Sequence, residues 1–425
     1  MNNSFAPWLL ASFLAAQALT TLPAFADVPQ TTPGATLQSL LDAARLNNPE
    51  IAAARLEAQA ADERIQPAGA LPDPILRTEL RDLNNQRESN PSLFPGRVGS
   101  TKYTLIQAVP FWGKRDLKRE VAEADAAQAK GRADGAWTEL ATRIKTTYAA
   151  YYLQTQATAL TREILDLTAS LEKITQARYS GGLVPQQDVI RAQVEQTALR
   201  SELVAQENDR HHAMVKLNAL VKRPPQADLA DPRQLSPLPV GFDQIALENQ
   251  LRTRNPQLAG DDARIAAASK SRELVQRNRY PDFNLGISPI QRGNGISEWE
   301  LMIEMNIPFQ QESRRSQERE AQALLAAAEA RKESTLNQLM SALSENLSAL
   351  ETAQRTEALT RNELLPQAEL TYKAALAGYE TGKVDFATLL EAQRQIRKAK
   401  LDIVKSQVDA RVRLAEIERL LGEDL

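Results

Sequence analysis

Glu298-Trp299-Glu300-Leu301-Met302-Ile303-Glu304-Met305-Asn306-Ile307 decides how this chain folds. Trp299, Leu301, Ile303, Met305 and Ile307 fall on one side of an extended backbone, and Glu298, Glu300, Met302, Glu304 and Asn306 on the other. Successive side chains of a strand point to opposite faces, so the spacing predicts a strand with one apolar and one acidic face. Just upstream, Phe283, Leu285 and Ile287 alternate with Asn284, Gly286 and Ser288. Two earlier segments, Ile75 to Leu83 and Tyr103 to Val109, alternate less cleanly, with Arg77, Glu79 and Arg81 sharing one face. Strands are expected over about 72–83, 98–111, 281–289 and 296–309, with polar turn stretches at Asn84 to Arg97 and Pro289 to Gly295.

The four strands come as two pairs because the chain is duplicated. Asn48-Pro49-Glu50-Ile51 returns as Asn255-Pro256-Gln257-Leu258, and Pro72-Asp73-Pro74 as Pro281-Asp282-Phe283. Val109-Pro110-Phe111 returns as Ile307-Pro308-Phe309. Arg178-Tyr179-Ser180-Gly181-Gly182-Leu183-Val184 returns as Gly378-Tyr379-Glu380-Thr381-Gly382-Lys383-Val384, and Leu217-Asn218-Ala219-Leu220 is echoed by Ile417-Glu418-Arg419-Leu420. One such pair could be chance, but five in the same order are an internal repeat. The expected organisation is a first repeat over 27–222, a Pro-rich linker over 223–240 and a second repeat over 241–425.

Around each strand pair the sequence reads as long helix. No proline interrupts Lys114 to Arg178, a segment dense in Ala, Leu, Glu, Lys, Arg and Gln. The second copy runs from Ser313 to Ala377, with Pro366 predicting a kink or break. Return helices follow from about Gln186 to Val221 and from Ala387 to Leu421. In the last of these, Leu389, Ile396, Ile403, Ala410 and Ile417 recur every seven residues, a seam for coiled-coil packing.

Composition narrows the function classes. Residues 1–26 carry an apolar run closed by Ala24-Phe25-Ala26, the pattern of a cleaved signal peptide, so an exported protein is expected. There is no cysteine, hence neither disulfide staples nor an acylated N-terminal cysteine. No other apolar stretch is long enough for a transmembrane helix, so any entry into a membrane must use strands. A formal net charge of -3 gives no argument for nucleic acid. His211 and His212, the only histidines, are adjacent on a helix and point apart, which is poor geometry for one metal ion. Asp261-Asp262 has no nearby histidine or glycine-rich loop, and no phosphate loop, nucleophile elbow or zinc signature is present, so neither an enzyme nor a cofactor protein is expected.

Four strands cannot close a barrel around a water-filled lumen. Strands with an apolar outer and a charged inner face nonetheless suit an outer-membrane barrel, to which several chains would each donate four. The alternative is a small amphipathic sheet packed on the helices of a soluble monomer.

This order of features, from Leu37 to Leu421, resembles the TolC-like outer-membrane efflux family. The resemblance implies a mainly α fold with a small β part, in which three protomers form one duct: a twelve-stranded β-barrel through the outer membrane, continuous with a periplasmic barrel of twelve helices. It implies a passive conduit working with a periplasmic adaptor protein and an inner-membrane pump of the resistance-nodulation-division type. Ala70-Leu71-Pro72-Asp73-Pro74, Glu79-Leu80-Arg81-Asp82-Leu83, Gln107-Ala108-Val109-Pro110-Phe111 and Lys114-Arg115 resemble the heavy-metal branch, the cobalt-zinc-cadmium and copper-silver type. Drug-efflux and type I secretion ducts share the build, and a periplasmic coiled-coil adaptor or scaffold is the rival from another class.

By the same resemblance the hairpin tips, with Tyr179, Gly181, Gly182, Val184, Tyr379, Gly382 and Val384, are the docking points of the adaptor. Counted from Gly382, Glu391 falls on one acidic entrance position and Thr388 on the other, with Asp385 one turn earlier; three copies would form an acidic ring at the mouth. Glu298, Glu300 and Glu304 would face the barrel lumen.

Overall fold

The computed structural model describes residues 33–85, 90–232, 235, 237–239 and 241–425. The expected signal peptide lies outside them. The first repeat consists of α1 (Leu37–Asn47), α2 (Pro49–Asp62), α3 (Ile65–Gly69), β1 (Ile75–Arg81), β2 (Ser100–Val109), α4 (Lys114–Ser180) and α5 (Gln186–Leu220). The second consists of α6 (Gln244–Arg254), α7 (Pro256–Arg277), β3 (Phe283–Arg292), β4 (Gly295–Met305), α8 (Gln311–Leu359), a π-helical turn (Thr360–Leu364), α9 (Leu365–Glu380) and α10 (Phe386–Leu421). α4 alone has 67 residues, a rod of about 100 Å at roughly 1.5 Å per residue. No helix among the described residues is long and apolar enough to cross a membrane.

Proline and aspartate set the element ends. β1 starts at Ile75 rather than at Pro72, because prolines cannot donate to a ladder. It stops before Asp82, whose φ of 51° leaves the extended region. β4 ends at Met305, short of the expected 309, because the Asn306 side chain turns back to accept the Asp282 N–H. The break expected at Pro366 is the π turn just before it: the Leu365 N–H reaches back to the Thr360 carbonyl, inserting one residue so that the ring of Pro366 is accommodated.

Two of the core clusters correspond to each other, one in each repeat. Leu40, Ala44, Ile51, Leu140, Ile144 and Leu217 gather α1, α2, α4 and α5. Leu247, Leu251, Leu258, Leu339, Leu343 and Ile417 gather α6, α7, α8 and α10 in the same way. A polar clasp closes both. Asn48 caps α2 by accepting the N–H groups of Glu50 and Ile51, while its amide donates to the Leu220 carbonyl at 2.8 Å. Asn255 caps α7 through the Leu258 N–H and donates to the Leu420 carbonyl, also at 2.8 Å. Each buried asparagine thus satisfies the open N-terminus of one helix and the open C-terminus of another. Both return helices end in a left-handed residue, Lys222 (φ 57°) and Gly422 (φ 81°).

In α10, Leu389, Ile403, Ala410 and Ile417 of the expected seam are buried and Ile396 is half-buried.

Candidate functional site

Two places stand out, the sheet at one end of the long helices and the hairpin tips at the other. The sheet is antiparallel in the order β1-β2-β3-β4, with a bulge between Ile290 and Gln291. Residues paired across strands share a face, so the register maps each face. Leu76, Leu105, Ile287 and Leu301 form one row across all four strands. They are 68, 48, 48 and 75% exposed, an open apolar row.

The opposite face is polar and crowded. One row holds Glu79, Lys102, Ile290 and Glu298. In the next, Arg77 lies opposite Thr104 and Ser288 opposite Glu300, and the buried hydroxyls of Thr104 and Ser288 meet at 2.9 Å. Lys102 reaches Glu300 at 2.5 Å, and Arg292 reaches Glu298 at 3.0 Å. A Cβ on Gly286 would lie 2.9 Å from the Met302 methyl, which explains glycine on this face. The sheltered face is charged and the open one apolar, the reverse of a sheet over a soluble core. Glu298, Glu300 and Glu304 all lie on the charged face.

Where strands give way to helices, the buried Lys114 donates to Asp282 at 2.8 Å and to the Tyr280 carbonyl at 3.0 Å. Asp282 also accepts the Phe111 N–H, tying the two repeats together. Phe111 stacks on Tyr280 with centroids 4.5 Å apart, and Trp112 and Phe309 stand exposed beside this junction. The sequence reading did not single out this junction. Its signal was the repeated Pro-Phe after each strand pair.

At the far end both hairpins turn by the same device. The Gly182 N–H bonds the Tyr179 carbonyl and the Leu183 N–H bonds the Arg178 carbonyl; Gly382 and Lys383 repeat this onto Tyr379 and Gly378. This is a Schellman closure, and it needs a left-handed residue at Gly182 (φ 70°) and Gly382 (φ 73°). Gly181, by contrast, has φ -83° and needs no such freedom.

The side chains of the tips diverge. Tyr179 is 43% exposed and Tyr379 only 3%. Tyr379 lies against Phe386, its hydroxyl 3.2 Å from that of Thr175, with the Arg178 guanidinium 4.8 Å above its ring. Arg178 also donates to the Tyr379 carbonyl at 2.8 Å, so the first tip clasps the second. Tyr379 is therefore core to the tips, not a free docking contact. Val184 and Val384 are half-buried behind the turns.

Asp385 and Glu391 do not form one cluster. Asp385 caps α10, accepting the Thr388 N–H at 2.9 Å and its hydroxyl at 2.6 Å, and these bonds hold its carboxyl below the usual range. Glu391 is exposed and lies 3.9 Å from Arg394. Arg394 chiefly grips the buried Glu195 of α5, at 2.5 Å, and Arg397 grips Glu202 of the same helix. Gln393 donates to the buried Thr168 of α4 at 3.0 Å. These contacts lace α10 to α4 and α5 along the half nearer the tips. His211 and His212 are both exposed on α5, and among the described residues no group of three His, Cys, Asp or Glu side chains is placed to hold a metal ion.

A family model described as outer membrane efflux protein matches residues 40–221 and 247–423, one match to each repeat. The chain is 22% identical over 393 residues to the cobalt-zinc-cadmium resistance protein CzcC of Cupriavidus metallidurans, covering 91% of this chain and 90% of that one. It is 23% identical over 406 residues to the pyoverdine export outer membrane protein OpmQ of Pseudomonas aeruginosa, covering 91% and 83%. The outer membrane protein VceC of Vibrio cholerae has a similar solved structure, with a TM-score of 0.78 at 19% identity over 91% of this chain and 96% of that one.

Proposed function

The chain belongs to the outer membrane efflux protein family, and we propose that it is the outer-membrane duct of a tripartite efflux system, completed when three copies donate four strands each. The observation that carries this reading is the sheet, with its exposed apolar row, its charged opposite face and its two unpaired edges. A lone open sheet of this kind leaves ladder groups and apolar surface unsatisfied, whereas a closed barrel abolishes the edges and turns the apolar face to lipid. Trp112, Tyr280 and Phe309 then fit the aromatic girdle at a membrane interface, with the helices continuing into the periplasm.

On this reading the tips meet a periplasmic adaptor. The first tip offers the exposed Tyr179, Gly182 and Leu183, and the second offers Thr381, Gly382 and Lys383. A pump of the resistance-nodulation-division type in the inner membrane supplies the energy. The duct itself is passive: its mouth opens as the polar contacts between α10 and α4 or α5 relax, while the strands stay fixed. Three copies of Glu391 at the mouth favour cations. Mature protein in detergent should run as a trimer and conduct ions in a planar bilayer; a monomer without conductance overturns the reading. Replacing Glu391 by Lys should shift the reversal potential away from cations, and an unchanged value removes the ring.

We propose heavy-metal cations as the cargo. Support comes from the motif resemblance around Ala70–Pro74 and Gln107–Phe111 and from the 22% identity to a cobalt-zinc-cadmium resistance protein. A second reading, a duct for other exported compounds, rests on the 23% identity to a pyoverdine export protein. Deleting the gene separates them: lower tolerance of cobalt, zinc or cadmium, restored by the gene, supports the first, and unchanged tolerance supports the second.

A further inference from the structure

The two edge strands carry opposite charge on their inner faces. β1 presents Arg77, Glu79 and Arg81, and β4 presents Glu298, Glu300 and Glu304. Within the chain four of these six charges are matched. Arg81 pairs with Glu79 at 3.2 Å, Lys102 with Glu300 at 2.5 Å and Arg292 with Glu298 at 3.0 Å. Among the described residues, Arg77 on one edge and Glu304 on the other are the members of this set left without an ion-pair partner. Their strands are the first and last of the sheet, so neither can reach the other inside one copy.

We infer that Arg77 of one copy and Glu304 of the next form an ion pair at each subunit junction, so that the basic edge strand of this chain selects the acidic edge strand of a second copy. The inference rests on the oligomeric-barrel reading and names the contact that closes it. Three features support it. All three ladders of the sheet are antiparallel, so β1 and β4 run in opposite directions and β1 of a neighbour adds to β4 without a break in the pattern. Register slips in steps of one would put the apolar row inside, so only even registers survive, and these keep both charged faces on the same side. Arginine and glutamate are long enough to meet as direct or diagonal cross-strand neighbours, where opposite charges attract and like charges repel. Pairing β4 with a second β4 would set three glutamates against three and is disfavoured. The charge pattern therefore specifies head-to-tail closure around a ring.

The test uses the full mature chain in detergent. R77E and E304R should each lower the temperature at which the oligomer dissociates, and the double exchange R77E/E304R should recover most of the loss. E298Q, whose glutamate is paired inside its own chain, should dissociate near the unmodified temperature. Because the chain has no cysteine, R77C/E304C gives an unambiguous cross-link. A short bis-maleimide should convert it to covalent dimers and trimers, while either single variant stays uncoupled. Absence of that ladder in a protein that still runs as a trimer overturns the edge contact, and additive rather than compensating charge reversals overturn the ion pair. An unmodified chain that runs as a monomer instead refutes the duct reading beneath both.

Discussion

Tyr179 and Tyr379 occupy the same place in two copies of one turn, three residues before a left-handed glycine and at the end of a long helix. Three backbone hydrogen bonds recur in both turns, and the second adds one from the Val384 N–H to the Gly378 carbonyl. Yet Tyr179 stands in the open, while Tyr379 is enclosed by Phe386, Thr175 and the Arg178 guanidinium, in a cluster that also draws Leu171 and Ala192 from the first hairpin. One residue earlier, Arg178 in the first tip corresponds to Gly378 in the second. A Cβ on Gly378 would lie 2.5 Å from the nearer Val384 methyl, so the second tip has no room there. The turn is set by its local sequence, whereas the packing of one hairpin on the other makes one tyrosine surface and the other core.

The largest expected break in this comparison is Tyr379→Ala. Removing a buried aromatic leaves a cavity costing about 3–5 kcal/mol, and amide exchange across the second tip should accelerate accordingly. Tyr179→Ala removes a side chain that is already half in solvent and should change stability by no more than about 0.5 kcal/mol. Equal effects would mean that the two tips pack alike. Between these two effects, and equal at both tips, is the cost of giving the left-handed glycine a side chain. Gly182→Ala and Gly382→Ala should each cost about 1–2 kcal/mol, because nothing lies near either Cβ position and only the backbone is strained. A thermal-unfolding difference between the two larger than their separate errors would show that the turns are not one device.

Much of this was legible in sequence because it is local or periodic. The Asn-Pro pairs, the glycine turns and the seven-residue seam of α10 depend on nearby residues, and α4 ends within two residues of its expected limit. The break near Pro366 followed from the ring alone, although its form as a π turn did not. What the sequence hid were contacts made by residues far apart. The donation from Asn48 to the Leu220 carbonyl spans 172 positions and that from Lys114 to Asp282 spans 168. The burial of Tyr379 was hidden for the same reason: a repeated motif has one local signature but two surroundings. The charges of β1 and β4 were visible as faces, but their order across the sheet required the register.

Acidity offers the finest probe of the two tips, because their second helices start differently. α5 follows Pro185, which gives no side-chain cap, and its first turn holds Asp188, buried so that desolvation pushes its carboxyl up, with Asp385 opposing ionisation and Arg191 at 3.8 Å favouring it. α10 follows Asp385, whose carboxyl is pulled down by the Thr388 bonds. The signs are therefore opposite. Asp385 has a native value below its unfolded one, near 3.9, so its stabilisation is present above that value and is lost as pH falls through the lowered native one. Asp188 has a native value above its unfolded one, so the penalty for ionising it is absent at low pH, grows as pH rises past about 3.9, and is complete above the raised native value. Asp188→Asn should slow exchange in the first turn of α5 at neutral pH and have no effect once the native carboxyl is protonated. Asp385→Ala should speed exchange in the first turn of α10 at neutral pH, and its difference from the unmodified chain should shrink on acidification. Exchange rates moving in the same direction in both variants at neutral pH would show that the two helix starts respond to charge alike, and would remove the electrostatic part of the contrast between the tips.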